Sequence, residues 1–201
     1  MVEWTKRQKE FIEAALEIIS SRGLQSLTIR TLAAKVGVTE GAIYRHFKSK
    51  EEILASTAGI FKASTTEILN QLLASPLSAI EKMKMFFLGR CRQFSENRGL
   101  ALVMFSEEIF KGHNELQQEI HETIHSHKML LTDAIAAGQQ EGILVDIDPE
   151  HMFMVVMGVL RLLVTRWRAA DFNFDLFTRG ERLWNSLEKL ISRQWESKDK
   201  Q

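Results

Sequence analysis

The stretch TIRTLAAKVGVTEGAIYRHFKSK, residues 28–50, decides how the rest of the chain is read. Thr28 precedes Ile29, Leu32, Ala33 and Val36, which are spaced for one face of a short helix, and its hydroxyl suits the free amides of a first turn. Gly37 stops that helix by admitting a left-handed residue. Thr39 then opens a second short helix carrying Ala42, Ile43 and Tyr44. Two such helices joined by Val36-Gly37-Val38 form a helix-turn-helix, the first bracing and the second able to lie in the major groove of DNA. Ala33 is small enough for the helices to cross closely, and Val38 and Ile43 plug the angle between them. The same spacing also suits an ordinary helical hairpin in a core, so the surroundings must discriminate.

Upstream, Phe11, Ala14, Ala15, Ile18 and Ile19 form one apolar stripe that predicts a helix over roughly residues 3–22, stopped by Gly23. Downstream, Ser49 with Glu52 makes a capping box for a longer helix. Pro76 and Gly89 punctuate the next part of the chain, with Pro76 expected in the first turn of a new helix after Ser75. A stretch around Leu100–Lys111 and a helix from about Glu115 to Gln140, ended by Gly142, come after them. Asp148-Pro149-Glu150 opens a further helix by combining a capping acid, a proline without an amide and a carboxylate near the positive end. In the last helix Leu176, Leu183 and Leu190 form one row and Phe177, Trp184 and Ile191 the next, with Leu187 and Trp195 alongside. Apolar residues recur at three and four throughout, so the expected fold class is all-α: an N-terminal three-helix DNA-binding domain over 1–64 and a helical regulatory and dimerisation domain over 65–201.

Composition agrees. The 201 residues are 45% hydrophobic and 26% charged, with 11 glycines and 2 prolines, which excludes collagen-like, low-complexity and disordered classes. The longest apolar run, Met152–Leu160, is far short of the ~20 residues that span a bilayer, and Cys91 is the only cysteine. The start of the chain lacks the layout of a secretion signal, so a cytoplasmic protein with no membrane partner is expected. Net charge is zero, yet residues 1–50 hold nine Lys/Arg against five Glu, while the remainder holds 17 basic against 21 acidic residues. The basic end is where a polyanion would dock.

The run Ala33–Glu51 resembles the helix-turn-helix signature of the tetracycline-repressor (TetR) family of bacterial transcription regulators, and the likeness extends upstream through Thr28 and the Ala14-Ala15 helix. The resemblance implies a DNA-binding regulator, a repressor rather than an activator, that uses no cofactor and is not an enzyme. It also implies roles. Thr28 caps the bracing helix and points amides at a phosphate, and Arg30 reaches a base edge, where guanidinium to guanine is the commonest specific contact. Thr39, Glu40, Gly41 and Ala42 meet the bases, with Glu40 suited to a cytosine amine and Ala42 to a thymine methyl. Tyr44 and His46 match backbone-contacting positions and Lys50 a phosphate-binding lysine, with Lys48 a further candidate. Phe47 is expected in the core.

A lone reader helix is too small to specify a site, so the expected assembly is a homodimer on a pseudo-palindromic double-stranded operator. The helix from Pro149 has almost no polar face until Arg166 and must be covered nearly all round, which suits a four-helix interface made with the last helix by two copies. For a small, largely apolar effector the Met- and Phe-rich middle offers Phe86, Phe87, Met104, Phe105 and Met129, along with Met83 and Phe110. Such an effector acts by preferring a dimer whose reader helices are wrongly spaced. Finally, His121-Glu122-Thr123-Ile124-His125 fits His-Glu-x-x-His. That pattern leaves open a metal-responsive regulator, using His121 and His125 with Glu108 or His151, and more remotely a zinc hydrolase; a protein-binding adaptor with a degenerate reader is a third alternative.

Overall fold

The computed structural model describes residues 4–105 and 114–193, and nine α-helices lie among them. In chain order these are α1 (Lys6–Arg22), α2 (Ile29–Val36), α3 (Glu40–Tyr44), α4 (Lys50–Ala74), α5 (Ala79–Glu96), α6 (Arg98–Met104), α7 (Asn114–Gln140), α8 (Pro149–Ala169) and α9 (Leu176–Ile191). The described residues form no strand beyond a single bridge between Leu144 and Ser192, so the expected all-α class holds. None of the described helices is long and apolar enough to cross a membrane.

Local chemistry sets the helix ends. The Thr5 hydroxyl accepts from the Gln8 amide while the Gln8 side chain takes the Thr5 amide, and α1 stops at Gly23, whose φ is 80°. Thr28 and Thr31 exchange the same pair of bonds at the start of α2, at 3.0 and 2.9 Å. Gly37 is left-handed (φ 74°, ψ 37°) and ends that helix, as its sequence position predicts. Asp148 Oδ1 accepts from the Glu150 and His151 amides ahead of α8, with Pro149 in the first turn.

Two expectations need correction. Pro76 does not sit in a first turn: it lies in the connection after α4, and α5 begins at Ala79 behind Ser78, whose amide donates to Glu81 at 2.9 Å and whose hydroxyl accepts from the Glu81 amide at 3.4 Å. The Ser-x-x-Glu box satisfies the free amides, so the proline is not needed there. Gly89 punctuates nothing and lies inside α5, because Phe86, Phe87, Arg90 and Cys91 on either side of it carry one buried face straight through. Part of Leu100–Lys111 and Trp195 lie outside the described residues.

The chain divides into two compact units, Met1–Thr65 with Asn97–Thr123, and Thr66–Glu96 with Ile124–Gln201. In the first, α1 packs on α2 and α6, and α2 on α3, around Phe11, Ile19, Leu27, Leu32, Ile43 and Phe47. Gly99 lets α6 lie on α1: a Cβ there would stand 2.2 Å from the Leu16 carbonyl oxygen. In the second, α9 packs on α5 and α8, and Gly180 brings it against Cys91, whose Sγ would be 2.7 Å from an added Cβ. Trp184 is fully buried there against Phe87, with ring centroids 5.5 Å apart.

The glycines at 37 and 99 are constrained in different ways, and stability should separate them. Gly37→Ala meets nothing within 4 Å and is strained only by its backbone, so it should cost about 1 kcal/mol. Gly99→Ala strikes a backbone carbonyl that cannot rotate away, so it should cost about 1–3 kcal/mol or more. Denaturant unfolding checks the order, and an equal or smaller loss for Gly99→Ala would contradict the packing described.

Candidate functional site

The reader is built from buried support beneath exposed chemistry. Ile43 and Phe47 are buried under α3, and the Phe11 ring of α1 meets the edges of both Phe47 (6.3 Å between centroids) and His46 (5.5 Å). The Thr39 hydroxyl accepts from the Ala42 amide at 3.3 Å and so fixes where α3 begins. Above that support Thr39, Glu40 and Gly41 are exposed, Ala42 is half-buried, and Tyr44 is 53% exposed. A tyrosine left this open on a well-packed unit is available to a partner rather than spent on the core.

The other predicted contacts fall around it. Thr28 and Arg30 are exposed at the start of α2, Lys48 is exposed, and His46 and Lys50 are half-buried. The Glu52 amide donates to the Ser49 hydroxyl as the box read there requires, while the Glu52 carboxylate takes the Lys48 amide at 2.5 Å in place of the Ser49 amide. Lys35, a cation on α2, is turned to Glu17 of α1 at 2.6 Å and braces the two helices. Arg45 was absent from the sequence-derived set but is exposed beside Tyr44; its signal was a cation at the end of a reader helix.

The His-Glu-x-x-His residues take a different place. His121 and His125 are exposed on α7, and Glu122 makes an ion pair with Lys62 of α4 and accepts from Gln118 at 3.0 Å. Those partners hold its carboxyl below the usual carboxylate range, which suits an anchor between α4 and α7 rather than a general base. Among the described residues no group of three or more His, Cys, Asp or Glu could hold a metal ion. Glu108 lies outside the described residues.

The expected effector residues are distributed over both units. Phe86 and Phe87, with Met83, are buried on α5. Met104 is buried at the end of α6 and Phe105 half-buried beyond it, in the first unit, while Met129 is half exposed on α7. Phe110 lies outside the described residues. Two ionisable residues that sequence reasoning did not single out, Arg90 and His127, are buried in the second unit, each 3% exposed. The His127 ring meets the Phe86 ring edge-on at 5.2 Å, and the Arg90 guanidinium carbon lies 5.6 Å from the same ring's centroid. Burial lowers the Arg90 pKa to about 10; burial, then the Arg90 charge, lowers that of His127 to about 3. The signal was periodic: Arg90 continues the stripe Met83, Phe86, Phe87, and His127 continues Ile120, Thr123.

Comparison with known proteins places these features. Residues 11–57 match the family of bacterial regulatory proteins described as the tetR family, and residues 63–190 match the family described as YsiA-like protein, C-terminal region. The chain is 27% identical over 193 residues to a fatty acid metabolism regulator protein of Bacillus subtilis (strain 168), covering 93% of this chain and 96% of that one. It is 24% identical over 186 residues to the nucleoid occlusion factor SlmA of Photobacterium profundum, covering 91% and 94%. Among solved structures it resembles the transcriptional regulator FadR from Bacillus subtilis in complex with stearoyl-CoA, with a TM-score of 0.77, 26% identity and coverage of 92% and 98%.

The buried imidazole makes stability depend on pH. His127 is neutral when folded, whereas the unfolded chain takes up its proton near 6.5. Between that pH and about 3 the unfolded state binds more protons, so stability falls as pH falls, by up to roughly 1.4 kcal/mol per pH unit. Urea midpoints should drop between pH 6.5 and 5, and His127→Leu should flatten that limb; an unchanged slope in the variant would place the effect elsewhere.

Proposed function

The chain belongs to the tetR family of bacterial regulatory proteins, and from that premise we propose that it is a homodimeric repressor that leaves its operator when it binds a long-chain acyl thioester. The observation that carries the DNA-binding part is the reader itself: exposed Thr39, Glu40, Gly41 and Tyr44 set on buried Ile43 and Phe47. In this reading Arg30 takes a guanine edge, Glu40 a cytosine amine and Ala42 a thymine methyl. Thr28, Tyr44, His46, Lys48 and Lys50 hold the phosphates and fix register. Arg45 joins that set, since its exposed cation adjoins Tyr44. Residues 1–64 read the operator, and 65–201 bind effector and partner.

Two copies are needed for a pseudo-palindrome, and α8 supports the pairing. Its inner side buries Met152, Phe153, Val156, Leu160 and Leu163. Met154, Val155, Gly158 and Leu162 make a second stripe, in which Leu162 is 61% exposed. A helix apolar on both sides is stable in water only when its outer stripe is covered, and a second copy covers it symmetrically. Likeness over nearly the whole chain to a fatty acid metabolism regulator and to a FadR bound to stearoyl-CoA supports this effector class. Release is then differential affinity: the thioester binds better to the dimer that spaces its readers wrongly.

Footprinting on the DNA flanking its own gene tests this directly. A protected pseudo-palindrome that is freed by stearoyl-CoA is expected; protection indifferent to acyl-CoA would remove the effector. Arg30→Ala should cost about 1–3 kcal/mol of operator binding and leave the dimer intact on a sizing column. Operator affinity should fall steeply as salt displaces the counterion term, and a flat salt response would contradict a phosphate-bound reader.

A further inference from the structure

The charges at the start of α1 run against its dipole. Lys6, Arg7 and Lys9 stand in the first turn with no acid among them, whereas Glu10, Glu13 and Glu17 follow later. A helix disfavours cations at that end, so the pattern does not serve the stability of α1; it suits a bound anion. The end itself is capped by Thr5 and Gln8, which leaves the anion to the side chains. Arg7 is the cation turned towards the reader. Its guanidinium carbon lies 4.9 Å from the centroid of the Phe11 ring, and the same ring meets His46 at 5.5 Å between centroids. Phe11 is 1% exposed, a fixed spacer between the two groups, while the Arg7 side chain is 42% exposed. One guanidinium N–H donates to Glu10 at 2.5 Å, and the rest of its five donors meet no acceptor among the described residues. Stacking on a ring steadies the guanidinium and keeps those in-plane donors open, which is the geometry that a phosphate takes.

We propose that Arg7 is a further DNA-backbone contact of the reader, holding a phosphate beside the one held at His46, with Phe11 setting the spacing between them. This rests on the DNA-binding reading above. Such a contact carries no sequence information; it adds affinity and fixes register. Glu10 has two opposed effects. It holds Arg7 in the free chain, and its negative charge opposes the phosphate in the complex.

The test is fluorescence anisotropy of a labelled duplex from the chain's own upstream region, and of a scrambled duplex, titrated with the full chain at several salt concentrations. Arg7→Gln should bind both duplexes several-fold more weakly, and its slope of log affinity against log salt should be shallower by about 0.9 for each protomer bound. Arg7→Lys keeps the charge and should keep the slope; a slope as shallow as that of Arg7→Gln counts against the contact. Glu10→Gln should bind several-fold more tightly, an outcome that damage to α1 does not produce. Unchanged affinity in Arg7→Gln, a loss confined to the upstream duplex, or a loss with the salt slope unchanged overturns this inference and leaves the DNA-binding reading standing. Failure of the unaltered chain to bind either duplex overturns both. If Arg7→Gln does not fold, Glu10→Gln decides alone: tighter binding supports the contact, and equal or weaker binding overturns it.

Discussion

Helix α3 spans Glu40–Tyr44, and a helix of that length has no stability of its own in water. Its orientation depends on one set of contacts, the burial of Ile43 and Phe47 against the first unit's core, with the Phe11 ring meeting Phe47 and His46. Burying Ile43 and Phe47 contributes on the order of 1.5–3 kcal/mol each, several times what hydrogen bonding within one turn supplies. The left-handed Gly37 and the Thr39 cap aim the helix, while the apolar contacts hold it. Everything proposed for DNA depends on that division: the side chains needed for recognition are those the core does not use.

The second unit obeys another constraint, close approach. Gly180 against Cys91 and Gly138 against Ala79 bring helices together where any Cβ would collide. Such a core has little slack, and it also encloses the Arg90 guanidinium and the His127 imidazole beside Phe86. The Leu144–Ser192 bridge, with the Val145 amide donating to the Ile191 carbonyl at 2.9 Å, ties the end of α9 to the connection before α8.

How much of this was legible in the sequence depends on how local its cause is. Thr28, Gly37, Thr39, Gly142 and Asp148 act on their own helix ends, and each sits where its chemistry predicts. Gly89 was misread because the signal that overrides it, a buried face continuing on both sides, is tertiary. The turn between α8 and α9 was illegible for a similar reason. Asp171 and Phe172 are both left-handed without being glycine, and Phe172 is held there by its edge-on contact with Trp167, whose indole nitrogen donates to the Phe174 carbonyl at 2.9 Å. Apolar composition pointed to Met104, Phe105 and Met129 alongside Phe86 and Phe87, but composition does not say which residues share a unit or which face water. Arg90 and His127 continue apolar stripes, and that period was the sequence sign of their burial.

The central claim is that two copies grip one duplex through α3. Sedimentation of the full chain with a labelled duplex from its own upstream region, at low and moderate salt, measures that most directly. The predicted result is a complex with an even number of protomers per site, two for a single palindrome, that dissociates as salt rises. A strictly monomeric chain, or one that leaves every such duplex sedimenting alone at low salt, would contradict it.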